Sequence, residues 1–222
     1  MRGDLFVLCC FTTGDCPPVV FFHVEVNRMK NKKLEQLLSL VEGALCVAMA
    51  FALDLLPLPK WPMGGSISIS CVPIIYYSYR RGWLKGLVMG LANGVIQIVT
   101  GWYTPPGGAL GAVLLCALLD YLLAFGVIGI ADAFAKLFGK HRMVGYTVGA
   151  VLVNLCRLVC SYLSGITIWA STTPEGEYVW IYSLTYNASY MIPNAILAAV
   201  IIAILCAALD PKTLRPIKKD AL

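Results

Sequence analysis

Charge is the scarcest property of this sequence. Asp, Glu, Lys and Arg make up 13% of its 222 residues, where soluble domains carry roughly 25%. With 59% hydrophobic residues and a mean hydropathy of +0.77, a water-soluble globular fold is excluded and an integral membrane protein is expected. The regular alternation of a membrane β-barrel is also missing. The apolar runs are long and continuous, which predicts helices. Histidine is nearly absent, with only His23 and His141. That leaves no plausible Ser-His-acid set and no H-E-x-x-H metalloprotease motif. No G-x-x-x-x-G-K-[ST] occurs, so the chain has no loop of that kind for hydrolysing ATP. Nine cysteines are present but no C-x-x-C pair. Neither a zinc site nor a dithiol redox motif is signalled, and the cysteines read as small buried apolar residues. No enzyme activity, metal or cofactor is expected.

What is present is a succession of apolar spans separated by short charged or turn-rich connections. Residues 1–28 fit poorly: Asp4, Asp15 and Pro17-Pro18 interrupt any span, and no small-residue cleavage site marks a signal peptide. Met29-Lys-Asn-Lys-Lys reads as a natural start. We therefore expect 1–28 to be a poorly ordered or over-extended N-terminal stretch, and 29–222 to be one six-helix membrane domain. Spans are predicted at 34–56, obliquely from Ile67 to Tyr79 with a bend at Pro73, and at 84–100, 110–134, 144–170 and 180–209. The alternation of Ser66-Ile-Ser-Ile-Ser70 allows a short strand-like approach to the second span. Gly82, Gly86, Gly90 and Gly94 recur every fourth residue, a pattern that lets membrane helices approach closely. Ala44, Ala48 and Ala52 form a second small-residue face on the first span.

The net charge of +5 is distributed as topology, not as a nucleic-acid surface. The segment before span one, Arg80-Arg81, the 136–142 loop and the C-terminal tail hold almost all the cations. The positive-inside rule then places every second connection, and both termini, in the cytoplasm. Topology converts position into depth. Asp120 lies ten residues into span four from outside, and Arg157 lies thirteen residues into span five from inside. At 1.5 Å per residue these are depths of roughly 15 and 20 Å in a core about 30 Å thick, so the two charges share a level. A charge at that depth costs at least ~2.5–3.5 kcal/mol in lipid and faces a partner or a cavity. Ser161 and Ser164 continue the Arg157 face outward, Trp169 caps it, Tyr121 adjoins Asp120, and Tyr182 and Asn187 enter from span six. These groups read as an outward-open pocket for a flat, polar, cationic ring compound. The competing reading is a charge pair that ties the bundle together. Asp54 and Asp132, near span ends, are expected at the interfaces. Glu42 has no assigned partner.

Gly64-Gly65-Ser-Ile-Ser-Ile, Pro73-Ile, Arg80-Arg81-Gly82, Leu119-Asp120-Tyr121-Leu-Leu-Ala124-Phe125, the run from Arg157 through Ser164-Gly165 to Trp169, and Tyr182-Ser-Leu-Thr-Tyr-Asn187 stand in that order. From about Met29 to Leu209, this ordered set resembles the thiamine-specific S components of bacterial energy-coupling factor transporters. The resemblance implies a six-helix subunit of the bacterial cell membrane that captures thiamine from outside. Its partners would be a transmembrane coupling protein and two ATPase subunits. It further implies ligand contacts at Asp120, Tyr121, Arg157, Trp169, Tyr182 and Asn187, and docking of the coupling protein on Ala44, Ala48 and Ala52. Asp120 stands where relatives can carry Glu, and Ser161 where many carry His. Three alternatives stay open: an S component for another heterocyclic vitamin or precursor, an ion-coupled secondary carrier, and a non-transport membrane scaffold.

Overall fold

The computed structural model describes residues 19–62, 64–139, 141–209 and 214, with side chains from Lys32 onward. Residues 1–18 of the N-terminal extension, and the tail cations Lys212, Arg215, Lys218 and Lys219, lie outside the described residues. Two compact units are distinguished, Met1–Val41 and Glu42–Leu222. All interactions below belong to the second.

The described residues fold into helices: α1 (Val19–Asp54), α2 (Cys71–Arg81), α3 (Trp83–Thr100), α4 (Leu110–Ile128), α5 (Ala131–Lys136), α6 (Arg142–Thr167) and α7 (Val179–Ala208). Five segments are long and apolar enough to cross a membrane: Lys32–Asp54 and helices α3, α4, α6 and α7. Their outward faces carry large apolar side chains such as Leu45, Leu84, Val99, Leu114, Val159 and Ile204, as lipid contact requires. The fourth span ends earlier than its composition indicates. The chain turns at Gly129-Ile130 and then forms the short α5. The 66–70 segment forms no strand; its extended pairing is a single isolated bridge between Lys60 and Ser66.

Helix α2 explains the arrangement of the others. At 11 residues it is only about 16 Å long, too short to cross alone. Cys71 to Ile75 and Tyr77 to Tyr79 are all buried. A helix buried on nearly every side belongs inside a bundle, and α2 is surrounded by neighbours. Ile74, Ile75 and Tyr77 are fully buried with Ile128 of α4, Val153 of α6 and Ile202 of α7.

The glycine series on α3 governs its contact with α4. A Cβ placed on Gly94 would lie 2.8 Å from the Tyr121 carbonyl oxygen, and one on Gly90 would lie 2.5 Å from that of Phe125. One on Gly86 would collide with the carbonyl of Gly129. Residues 94, 90 and 86 thus receive 121, 125 and 129, every fourth residue on two antiparallel segments. Only glycine permits this backbone separation, the close approach that small residues allow between membrane helices.

Charged side chains at the Arg80-Arg81 end of the second unit pair with one another. Glu42 accepts ion pairs from Arg80 Nε at 2.7 Å and Arg81 Nη2 at 2.6 Å, which supplies the partners its sequence position did not reveal. Asp132 is buried, not interfacial as its place near a span end indicated, because α5 turns it back beneath α2. It pairs with Lys136 at 2.6 Å, and its backbone N–H donates to Ser78 Oγ at 3.2 Å.

Gly86→Ala is expected to destabilise the bundle by about 1–3 kcal/mol, the usual cost of forcing an added methyl into a filled interior, read as a lower thermal midpoint in detergent. Gly111→Ala, where a Cβ meets nothing within 4 Å, should leave the midpoint unchanged or raise it.

Candidate functional site

A chamber of about 360 Å³ opens at the end of the second unit opposite Arg80 and Arg81. The C-terminal ends of α1, α3 and α6 meet there with the N-terminal ends of α2, α4 and α7. All seven pocket residues anticipated from the sequence line it: Asp120, Tyr121, Arg157, Ser161, Trp169, Tyr182 and Asn187.

Asp120 and Tyr121 come from the middle of α4, where residues Ala117–Leu123 form a π-helix. Such segments widen the turn and are frequent at functional sites. Here the widened turn presents adjacent residues to one cavity. Asp120 Oδ2 accepts three hydrogen bonds, from Ser164 Oγ at 2.5 Å, Trp169 Nε1 at 3.2 Å and Cys116 Sγ at 3.5 Å. No hydrogen bond from the described residues reaches Oδ1. The carboxylate is therefore oriented by neutral donors and keeps an oxygen for a ligand.

Arg157, Ser161 and Gly165 lie every fourth residue along one face of α6, with Trp169 just past its end. The Arg157 guanidinium lies 4.5 Å above the Phe125 ring. It makes no ion pair or hydrogen bond with the described residues, and its Nε is buried without a partner. Asp120 and Arg157 thus share the chamber without forming the direct pair that would make them a bundle tie.

Helix α7 contributes a polar and aromatic stripe. Tyr182, Tyr186 and Tyr190 all line the chamber at four-residue spacing, with ring centroids 5.9 Å and 6.2 Å apart in succession. Asn187 is committed to the fold: its Nδ2 donates to the Ser183 carbonyl at 2.9 Å and the Ser161 carbonyl at 3.4 Å, while Oδ1 accepts from Tyr190 Oη at 2.7 Å. Being buried in this clamp, it is no glycosylation acceptor, although Asn187-Ala-Ser189 spells one. The Trp61 ring packs on Tyr190 with centroids 5.7 Å apart, and Gly65 passes so close that a Cβ there would meet the Tyr190 ring at 2.5 Å.

Several wall residues escaped the sequence reading. Asp54 was expected at an interface. Instead Ser68 Oγ donates to its Oδ1 at 3.0 Å and Gln97 Nε2 donates to its Oδ2, and all three line the chamber. Asn194 clamps the same segment: its Oδ1 accepts from the Ser68 N–H at 2.8 Å and its Nδ2 donates to the Ser66 carbonyl at 2.9 Å. Only the return of the 55–70 segment over the helix ends brings these groups together. The one available signal was four serines and glycines, 64–66 and 68, ten residues beyond a helix that ends in a carboxylate. The alanines at 44, 48 and 52 lie on an exposed face of α1, away from the chamber.

A helical membrane protein with an aromatic and polar chamber of this size at one end is, as a class, a solute-binding membrane protein. The sequence matches the thiamine transporter protein family (Thia_YuaJ) over residues 40–214, and the chain belongs to that family, a family of transport proteins and not of enzymes. It is 36% identical over 181 residues to the thiamine transporter ThiT of Bacillus subtilis, covering 77% of this chain and 91% of that protein. It is 24% identical over 181 residues to ThiT of Lacticaseibacillus paracasei, covering 77% of this chain and 88% of that protein. The solved structure of ThiT from Listeria monocytogenes shares the fold, with a TM-score of 0.67 at 23% identity over 82% of this chain and 100% of that one.

Tyr121 Oη donates to the Gly101 carbonyl and accepts from the Tyr103 N–H, both at 3.0 Å, and its ring stacks on Trp102. Tyr121→Phe keeps the stacking and removes both bonds. At about 1 kcal/mol net for the bond its N–H loses, the Tyr103 amide should exchange with deuterium roughly fivefold faster in the variant. Unchanged protection would mean the hydroxyl does not hold this loop.

Proposed function

We propose that the protein is the thiamine-binding S component of an energy-coupling factor importer in a bacterial cell membrane, and that it captures thiamine from the extracellular side. The observation that carries this reading is the state of Asp120: fixed through one oxygen by Ser164, Trp169 and Cys116, with the other oxygen available beside aromatic walls. Thiamine is a cation of two flat rings joined by a methylene bridge. A carboxylate satisfies its charge and its amine, and the faces of Trp169 and the α7 tyrosines attract the ring cation. Membership of the thiamine transporter family and the names of the relatives support the same ligand.

In this reading α2 is a sixth, oblique membrane element, and both chain termini lie in the cytoplasm. The placement of Arg80, Arg81, Lys136 and Arg142 at alternate connections supports that orientation. Energy comes from partners, a coupling protein and two ATPase subunits, since the chain has no phosphate-binding loop of its own. The exposed face of Ala44, Ala48 and Ala52 is where the coupling protein docks.

Purified protein should bind thiamine at submicromolar concentration without an ion gradient, seen as quenching of tryptophan fluorescence, and should prefer it in competition with riboflavin, biotin or hydroxymethylpyrimidine. Asp120→Asn keeps an acceptor for Ser164 and Trp169 but removes the charge. It should weaken thiamine by roughly thirtyfold or more, the about 2 kcal/mol lower bound for losing one side of a buried charged contact. An unaffected Asn variant would return Asp120 to a purely architectural role.

Ala48→Trp tests the docking face separately. Thiamine affinity of the isolated subunit should persist, while uptake by the assembled transporter in vesicles should fall at least about tenfold, a coupling loss of at least 1.4 kcal/mol.

A further inference from the structure

The chamber holds a second carboxylate that thiamine capture by Asp120 does not require. Asp54 is the last residue of α1, and its partner Gln97 lies one turn from the end of α3. Asp120 is ten residues into α4, and Arg157 is ten residues from the end of α6. Asp54 therefore stands in the wall near the mouth, while the other two charges stand nearer the floor.

The bonding of Asp54 leaves its charge uncompensated. Both donors, Ser68 Oγ at 3.0 Å and Gln97 Nε2, are neutral, and no cation pairs with it among the described residues. An amide at position 54 could make the same two bonds once Gln97 turned its own amide over, so hydrogen bonding alone does not call for a charged group here. At the floor, Asp120 and Arg157 offset one another at a distance. Lys60 also borders the chamber, but its own side chain is exposed, where water and salt screen it. The uncompensated charge facing a solute in the mouth is that of Asp54.

We propose that Asp54 is a charge-selecting residue, which makes the chamber favour the unesterified cationic vitamin over its phosphate ester. The inference rests on the function proposed above. A cation passing the mouth is attracted by Asp54. Esterification adds about 1.5 to 2 negative charges at neutral pH, reverses the sign of the solute and turns that attraction into repulsion. In a partly desolvated wall such a term is screened far less than at a surface. Discrimination of this kind comes from a repulsive element as much as from a favourable contact.

The test is a titration of the full chain in detergent with thiamine and with thiamine monophosphate, followed by tryptophan fluorescence, for the wild type and three variants. In Asp54→Asn the ratio of the ester Kd to the thiamine Kd should fall at least tenfold, with thiamine weakened and the ester bound no more weakly than before. Gln97→Lys, which sets an ammonium against Asp54, should narrow the ratio in the same sense. Ser68→Ala removes a hydrogen bond and keeps the charge, so it should leave the ratio unchanged. If Asp54→Asn and Gln97→Lys weaken both ligands equally, or if Ser68→Ala shifts the ratio as far as they do, Asp54 is only a structural tie and the inference is overturned. Wild-type protein that binds no thiamine would overturn the proposed function, and this inference with it. Wild-type binding with a ratio that no variant alters would overturn this inference alone.

Discussion

The architecture depends on how near two backbones can come. In a bilayer there is no hydrophobic gain in moving a helix from lipid to another helix, so association rests on dispersion, polar contacts and lipid entropy. The α3–α4 contact maximises the first of these by removing side chains altogether. Gly86, Gly90 and Gly94 lay the α3 backbone against the carbonyls of Gly129, Phe125 and Tyr121. That contact fixes both the height and the rotation of α4. Because α4 carries Asp120 and Tyr121, it also fixes where the carboxylate and the phenol stand in the chamber. The same device recurs between α5 and α6, where a Cβ on Gly145 would lie 2.6 Å from the Ala135 carbonyl and one on Gly149 3.0 Å from that of Ala131.

Within this frame the chamber is held by neutral hydrogen bonds more than by ion pairs. Asp120 is oriented by a hydroxyl, an indole and a thiol; Asp54 by a hydroxyl and an amide. Asn187 and Asn194 spend their amides on backbone carbonyls, one backbone N–H and one phenol. Such partners position a carboxylate without cancelling it, so its charge remains for whatever enters. Among the described residues the direct ion pairs lie at the opposite end, where Glu42 binds Arg80 and Arg81 and Asp132 binds Lys136. The division is physically consistent: charge is neutralised where the helices must stay locked and left available where a solute is received.

Much of this was legible in the sequence because a membrane makes depth readable. Hydropathy located the long spans, and counting residues from their ends put Asp120 and Arg157 at one level. The four-residue glycine spacing announced the close helix contact. Three things were not legible. Asp54 and Asp132 sit near span ends, where a carboxylate is ordinarily at home in water, and only the folding back of 55–70 and of α5 reveals that they are enclosed. Tyr190 and Asn194 belong to a helix that is apolar on nearly every face, so nothing in its periodicity marks the side turned to the chamber. The short α2 gave no length signal, and its central place appears only when its neighbours surround it.

The π-helical stretch in α4 has a consequence for how the chain can vary. A widened turn holds one residue more than an α-turn of the same height, so the segments before and after it are out of phase with a continuous α-helix. The surplus residue lies where α4 turns the Tyr121 carbonyl to Gly94 and presents Asp120 and Tyr121 to the chamber. The spacing between 117 and 123 therefore carries as much of the site as the identities of the residues themselves. A shorter chain at this point would keep every side chain of the chamber and aim the decisive one elsewhere.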